Sequence, residues 1–228
     1  MKRLIAVAVC IRLVLAVGSS NLRAQSNGHD AHQHMPGVVC EPVTPGQPRP
    51  EFGCFIVAQS AELQFSEPVV YWHLRAFPTR AAAEAVRSPS GLIVEEEGKV
   101  WLSEFGPKDL APRGGASVDV VGPLELLPSK TYRAEIGYAV LRPGDRSRVH
   151  THFGPEAWYV IAGEQCLETP AGTKRARAGE TMSVTHSVPM ELSITGTSPR
   201  RSLTLVIHDS TKDFGAPSNW TPTGACRP

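Results

Sequence analysis

Gly144-Asp-Arg-Ser-Arg-Val-His150-Thr-His152-Phe-Gly-Pro-Glu156-Ala-Trp158-Tyr-Val160-Ile-Ala-Gly163 has the form G-x5-H-x-H-x3-E-x6-G, and its reading decides the fold. Side chains alternate faces along a strand, so His150 and His152 point the same way, about 6–7 Å apart. Phe153-Gly-Pro155 is a turn signal, and it leads into a second apolar strand where Glu156 can rejoin the imidazoles. Two histidines and one carboxylate on one face leave coordination positions open for oxygen or substrate on Fe(II) and similar metals. Burying these three groups without a shared partner is costly, which favours a metal over a metal-free hydrogen-bonded cluster. If Glu156 points inward, Trp158 and Val160 do too and become pocket walls. Tyr138 and Gln165 are candidate hydrogen-bond partners for a ligand, with their facing left open.

Working outward, short strands follow one another: Tyr132 to Leu141, Arg148 to His152, Ala157 to Ala162, Gln165 to Glu168, Thr173 to Arg177, Thr181 to Val184, Met190 to Ile194 and Leu203 to His208. Turns at Pro143-Gly144, Gly163, Ala171-Gly172, Gly179 and Gly196 separate them. Such dense antiparallel strands predict a small barrel or jelly roll, whose closure hides exposed edges.

The quoted stretch resembles the first motif of the cupin superfamily, in its glycines, both histidines and the glutamate at the family spacing. The likeness covers roughly residues 132–209. It implies a cupin-type jelly-roll barrel holding a metal inside and, since such barrels often pair through their sheets, it is compatible with a homodimer. Gly154-Pro-Glu-Ala-Trp-Tyr-Val160 and Gly163-Glu-Gln-Cys-Leu-Glu-Thr-Pro170 look like segments of uncharacterised cupin-domain proteins, which name no substrate. The second motif departs from the family: in Gly179-Glu-Thr-Met-Ser-Val-Thr-His-Ser-Val-Pro-Met190, Met190 stands where the fourth metal-binding histidine is expected. Three readings follow, in order of preference: a three-ligand site with more water, Met190 sulfur as a weak soft ligand favouring copper, or a site without metal. His186 falls in the turn and would need a shifted register to ligate. The ion is one divalent transition metal, Fe, Mn, Zn, Ni or Cu.

Before the barrel, residues 53–130 form a strand-rich region read as extra strands, a cap or a degenerate second cupin. Its strands are Val69 to Leu74, Leu92 to Glu95, Val100 to Phe105 and Ser117 to Val121, interrupted by a helix over Arg80 to Val86 capped by Thr79. His73 reads as an ordinary strand histidine and His208 as a packing or capping residue. Asp145, Arg146 and Arg148 read as solvated rim charges. Residues 25–52 lack apolar periodicity and read as a flexible arm. Its His29, His32, His34 and Met35 suit a solvated tail better than a metal trap. Residues 211–228 read as an irregular tail.

Met1-Lys-Arg3, the apolar run Leu4 to Gly18 and Ala24 read as a signal peptide cut near residue 24, too short and too interrupted by Arg12 to anchor. The mature chain is expected to be secreted or periplasmic, with no stable membrane insertion. Loss of Cys10 leaves Cys40, Cys54, Cys166 and Cys226, an even set suited to an oxidising compartment. Proximity favours Cys40 with Cys54, a loop of about 15 residues worth about 3 kcal/mol, and thereby Cys166 with Cys226.

Composition narrows the partners. Among 228 residues, Lys plus Arg 23 nearly balances Asp plus Glu 22. Removing Lys2, Arg3, Arg12 and Arg23 leaves 19 basic against 22 acidic residues, a charge of −3. Without a basic field, and with 7% aromatic residues, nucleic acid is excluded as the expected partner. The chain has no G-x-S-x-G elbow, phosphate loop or C-x-x-C pair. What remains is a small-molecule site: a metal-dependent oxygenase or isomerase, or alternatively a non-catalytic ligand-binding or metal-binding module.

Overall fold

A computed structural model describes residues 36–44 and 46–227; the leader, Cys10 and the His29, His32, His34 and Met35 cluster lie outside them. The chain is mainly β. Its strands are β1 (Pro36–Val38), β2 (Cys40–Pro42), β3 (Gly53–Gln59), β4 (Val69–Phe77), β5 (Leu92–Glu96), β6 (Lys99–Gly106), β7 (Ala116–Glu125), β8 (Tyr132–Leu141) and β9 (Arg146–Ser147). They continue as β10 (His150–His152), β11 (Glu156–Ala162), β12 (Glu164–Thr169), β13 (Gly172–Arg177), β14 (Thr181–Val184), β15 (Glu191–Thr195), β16 (Arg200–Asp209) and β17 (Gly215–Pro217). The one helix among the described residues, α1 (Arg80–Glu84), begins where Thr79 accepts the Ala82 amide, the cap that its sequence predicts.

Three layers arise because the central sheet is apolar on both faces. That sheet has the order β14-β11-β16-β8-β3-β2. One face carries Ala134, Ile136 and Tyr138 of β8, Ala157 of β11 and Leu203, Leu205 and Ile207 of β16. These pack on Trp72, Leu74, Trp101 and Phe105 of a four-stranded sheet ordered β5-β6-β4-β7. The alternating residues face the other way. Trp158 and Val160 meet Leu167, Ala176, Met190 and Leu192 of a five-stranded sheet ordered β1-β9-β15-β12-β13 and the segment entering it. Burial on both faces explains why β8 reads as a nearly unbroken apolar run.

Two segments differ from their reading as arm and tail. Residues 36–42 are strands: β1 pairs parallel with β9, and β2 pairs parallel with β3, setting Cys40 opposite Cys54. Their main-chain hydrogen bonds go to barrel strands, so no apolar period of their own is needed. At the other end, β17 pairs antiparallel with β10. Disulfides join Cys40 to Cys54 and Cys166 to Cys226, the pairing that proximity favours.

The second disulfide works beside a buried carboxylate. Glu168 Oε1 accepts from Thr223 Oγ1 at 2.8 Å and from the Gly224 amide at 3.2 Å. Burial opposes ionisation of Glu168, but the donors of Thr223, Gly224 and Cys226 outweigh it and hold its pKa below the ordinary carboxylate value. A depressed folded pKa gives stability that is present above the unfolded pKa and lost as pH falls through the folded one. The protection factors of the Thr223 and Gly224 amides are therefore expected to fall about tenfold once the pH drops below the carboxylate range, and to be that low at every pH in Glu168→Gln. Hydrogen exchange with the disulfides intact checks this, and unchanged protection in the variant would remove Glu168 as an anchor.

Candidate metal centre

His150 and His152 stand on β10, a three-residue strand clasped on both sides. Across one edge, His150 N–H donates to Met190 O at 3.2 Å and Met190 N–H donates to His150 O at 3.0 Å. Across the other, β10 pairs with β17, where Gly215 is required: a Cβ there would lie 2.6 Å from Thr151 O and 2.9 Å from His152 Nδ1. Glu156 opens β11, set between Val184 of β14 and Val206 of β16.

The turn between β10 and β11 folds the carboxylate back onto both rings. Glu156 Oε2 lies 3.0 Å from His152 Nε2 and 3.9 Å from His150 Nε2. One ligand atom from each of the three residues lies within 4.8 Å of the others. The rings stand edge-on, 4.8 Å between centroids. His152 and Glu156 are buried, while His150 is partly open to the mouth.

Protonation follows from the outer partners. His150 Nδ1 meets Arg148 O at 2.6 Å and His152 Nδ1 meets Phe214 O at 2.8 Å. A carbonyl only accepts, so each Nδ1 carries the proton and donates, and each neutral ring turns its Nε2 lone pair toward Glu156. His152 Nε2 and Glu156 Oε2 are both buried without a hydrogen-bond partner, although 3.0 Å apart. Two acceptors facing each other at that distance call for positive charge between them, and a divalent cation satisfies all three groups at once. His150, His152 and Glu156 thus form a group that can hold a metal ion. Burial pushes His150 below its ordinary pKa, with Glu156 opposing and His152 adding to the fall. Burial acts on His152 in the same sense, but Glu156 outweighs it and the net shift is upward.

The group opens into a cavity of about 460 Å³ walled by Trp158, Leu192, Ala139, Leu141 and the Cys40–Cys54 disulfide. Residues 213–217 of the tail form its far wall. Phe214 sets its ring edge-on to His152, with centroids 4.7 Å apart. Beyond the three ligand candidates, the cavity's charged residues are Arg148, Arg200 and Asp213.

Of the four residues expected to line the pocket, Trp158 does. Tyr138 does not: it stands on the opposite face of the central sheet, beside a separate cavity, and its hydroxyl donates to Glu97. Val160 is fully buried in the apolar cluster behind Trp158. Gln165 sits on the same side of β12 as Leu167, fully buried, with both amide atoms unpartnered among the described residues. Met190 is buried in that cluster directly across from His150. His186 lies in the turn after β14, outside the group.

Asp145 is not a rim charge, being fully buried and accepting from the Arg142 amide at 2.8 Å within its turn. His73 is a core residue whose Nε2 lies 2.8 Å from Pro107 O. His208 faces Glu135 at 3.5 Å.

Phe214 and Arg200 were outside the sequence reading. Phe214 acts through its main-chain carbonyl, which no residue pattern encodes. Arg200 had a signal: counting back by twos from His208 through Val206, Thr204 and Ser202 keeps it on the inner face.

No family model matches this chain, and no curated protein is similar to it in sequence. Solved structures similar to part of it include cupin superfamily proteins. One, from Desulfitobacterium hafniense, is 13% identical with a TM-score of 0.31, over 33% of this chain and 68% of that one. A cupin 2 domain-containing protein from Halorhodospira halophila is 14% identical with a TM-score of 0.34, over 38% and 59%. A DMSP lyase from Ruegeria pomeroyi is 16% identical with a TM-score of 0.33, over 37% and 43%. This chain spans about half the length of the latter two. What it binds is a question for its own side chains.

Proposed function

We propose that the chain is an exported metal-binding protein whose ion, held by His150, His152 and Glu156, meets a small molecule in the adjoining cavity. The observation that carries this is the buried, unpartnered confrontation of His152 Nε2 and Glu156 Oε2 at 3.0 Å. Export rests on the leader-like segment and is supported by the two disulfides. Among the described residues, no helix is long and apolar enough to cross a membrane.

A divalent cation in this place supplies Lewis acidity to a ligand oxygen, chemistry suited to oxygenation or to isomerisation through an enol. The protein's own contribution is positional. Arg148 O and Phe214 O fix both imidazole tautomers, Glu156 offsets the cation's charge, and Trp158, Leu192 and Phe214 exclude water from the inner side.

A second reading, a binding module without turnover, is favoured by the cavity's charged residues. Outside the ligand candidates they are two arginines and Asp213, which is exposed at the mouth. Neither arginine is suited to exchange a proton at neutral pH.

Titration calorimetry with Zn(II), Mn(II) and Fe(II) tests the centre. One ion per chain is expected, with affinity falling at least about 100-fold in His152→Ala, the scale on which metal sites lose affinity even through outer-shell changes. Wild-type affinity retained in His150→Ala and His152→Ala would defeat the assignment. Given a loaded site, oxygen uptake on small phenols or diketones separates the enzyme from the module.

A further inference from the structure

Arg200 opens β16 opposite Leu141, on the face that carries Thr204 into the cavity. It is 1% exposed. Its Nη1 donates to Ser202 Oγ, its Nε has no partner, and it makes no ion pair among the described residues. A guanidinium offers five N–H donors, and burying its charge without a counter-charge is costly. Gly163 helps to set its backbone, since a Cβ there would come within 2.8 Å of Arg200 Cα.

The only carboxylate whose charge registers at Arg200 is Glu156, which opposes the fall that burial brings, to about 10. The guanidinium therefore stays charged at neutral pH. Once Glu156 is committed to a cation, the buried part of the cavity holds two positive centres, the cation and Arg200, with a largely apolar wall between them and Arg148 exposed at the surface. A planar guanidinium fork matches a carboxylate in two parallel hydrogen bonds.

From this geometry we infer that Arg200 recognises a carboxylate on the cavity's small-molecule ligand, while the ligand's other polar end meets the metal. The substrate or ligand class is then a small organic acid with an apolar middle. This deepens the proposed function and rests on it for the metal end alone; the guanidinium end stands on Arg200's own surroundings.

Calorimetry on the Zn(II)-loaded full chain tests it with glutarate, valerate and pentane-1,5-diol. Glutarate is expected to bind about tenfold more tightly than valerate or the diol, the size of one charge-assisted pair, and Arg200→Met is expected to abolish that preference while Zn(II) affinity does not fall. Because Arg200→Met removes a buried side chain and can impair folding, the wild-type protein provides an independent readout. The Arg200 Nε–H signal in a 15N spectrum is expected to move with glutarate and to stay still with the diol. A silent signal, no preference for glutarate, or a preference that survives Arg200→Met would each overturn the inference. The metal reading fails separately: if Zn(II) does not bind yet valerate still moves the Arg200 signal, the carboxylate site stands and the metal centre falls.

Discussion

Zinc at about 100 times its dissociation constant is expected to raise the melting midpoint of the wild-type protein by about 5–10 °C and that of Glu156→Ala by less than about 1 °C. The first figure comes from about 2.7 kcal/mol of ligand linkage spread over a domain of this size, where 1 kcal/mol moves the midpoint by about 2–4 °C. The second follows because Glu156 is the oxygen donor that both Nε2 atoms face, at 3.0 and 3.9 Å. His29, His32 and His34 are present in both proteins, so zinc held there cancels in the comparison. Thermal scans with and without metal are sufficient. An equal zinc shift in Glu156→Ala would exclude the carboxylate as a ligand.

Gly154→Ala is expected to be the most damaging single methyl group in the barrel. A Cβ at residue 154 would sit 1.7 Å from Ile207 O and 2.6 Å from its carbonyl carbon, and neither atom is a side chain that can swing away. Either β16 shifts or the turn between β10 and β11 opens, and the turn is what returns Glu156 to the histidines. The expected cost exceeds about 4 kcal/mol, against a total stability of about 5–15 kcal/mol for a folded domain. Gly98→Ala is the matched control. Nothing lies within 4 Å of its added Cβ, and its φ of +67° leaves only left-handed backbone strain of about 1–2 kcal/mol. Denaturant unfolding of both variants measures the gap; similar losses would mean that the approach of Gly154 to Ile207 is not a tight constraint.

How far the sequence could be read follows from which physics is local. β8 was bounded correctly at Tyr132 and Leu141, and β14 at Thr181 and Val184, because apolar runs between turn residues are a local signal. The ligand group was legible for the same reason: strand alternation, a three-residue turn and a carboxylate lie within seven consecutive residues. Tyr138 failed on facing. Its parity was fixed by the pairing of Ala139 with Ser202 and Cys54, which set Ala139 inward and Tyr138 outward, and that register joins residues far apart in the chain. The short strands β1, β2 and β17 were missed because partners elsewhere impose them on segments with no period of their own.

The clasp on His152 also has a temporal side. Its orienting carbonyl belongs to Phe214, and the segment bearing it is held by the pairing of β17 with β10 and, further along, by the bond of Cys226 to Cys166. A nascent polypeptide that has not yet extended through residue 217 has both imidazoles and the carboxylate but lacks the bond that orients one of them. Completion of the centre therefore waits for the last strand of the chain, and the Cys166–Cys226 crosslink keeps the remainder of that tail attached to the barrel.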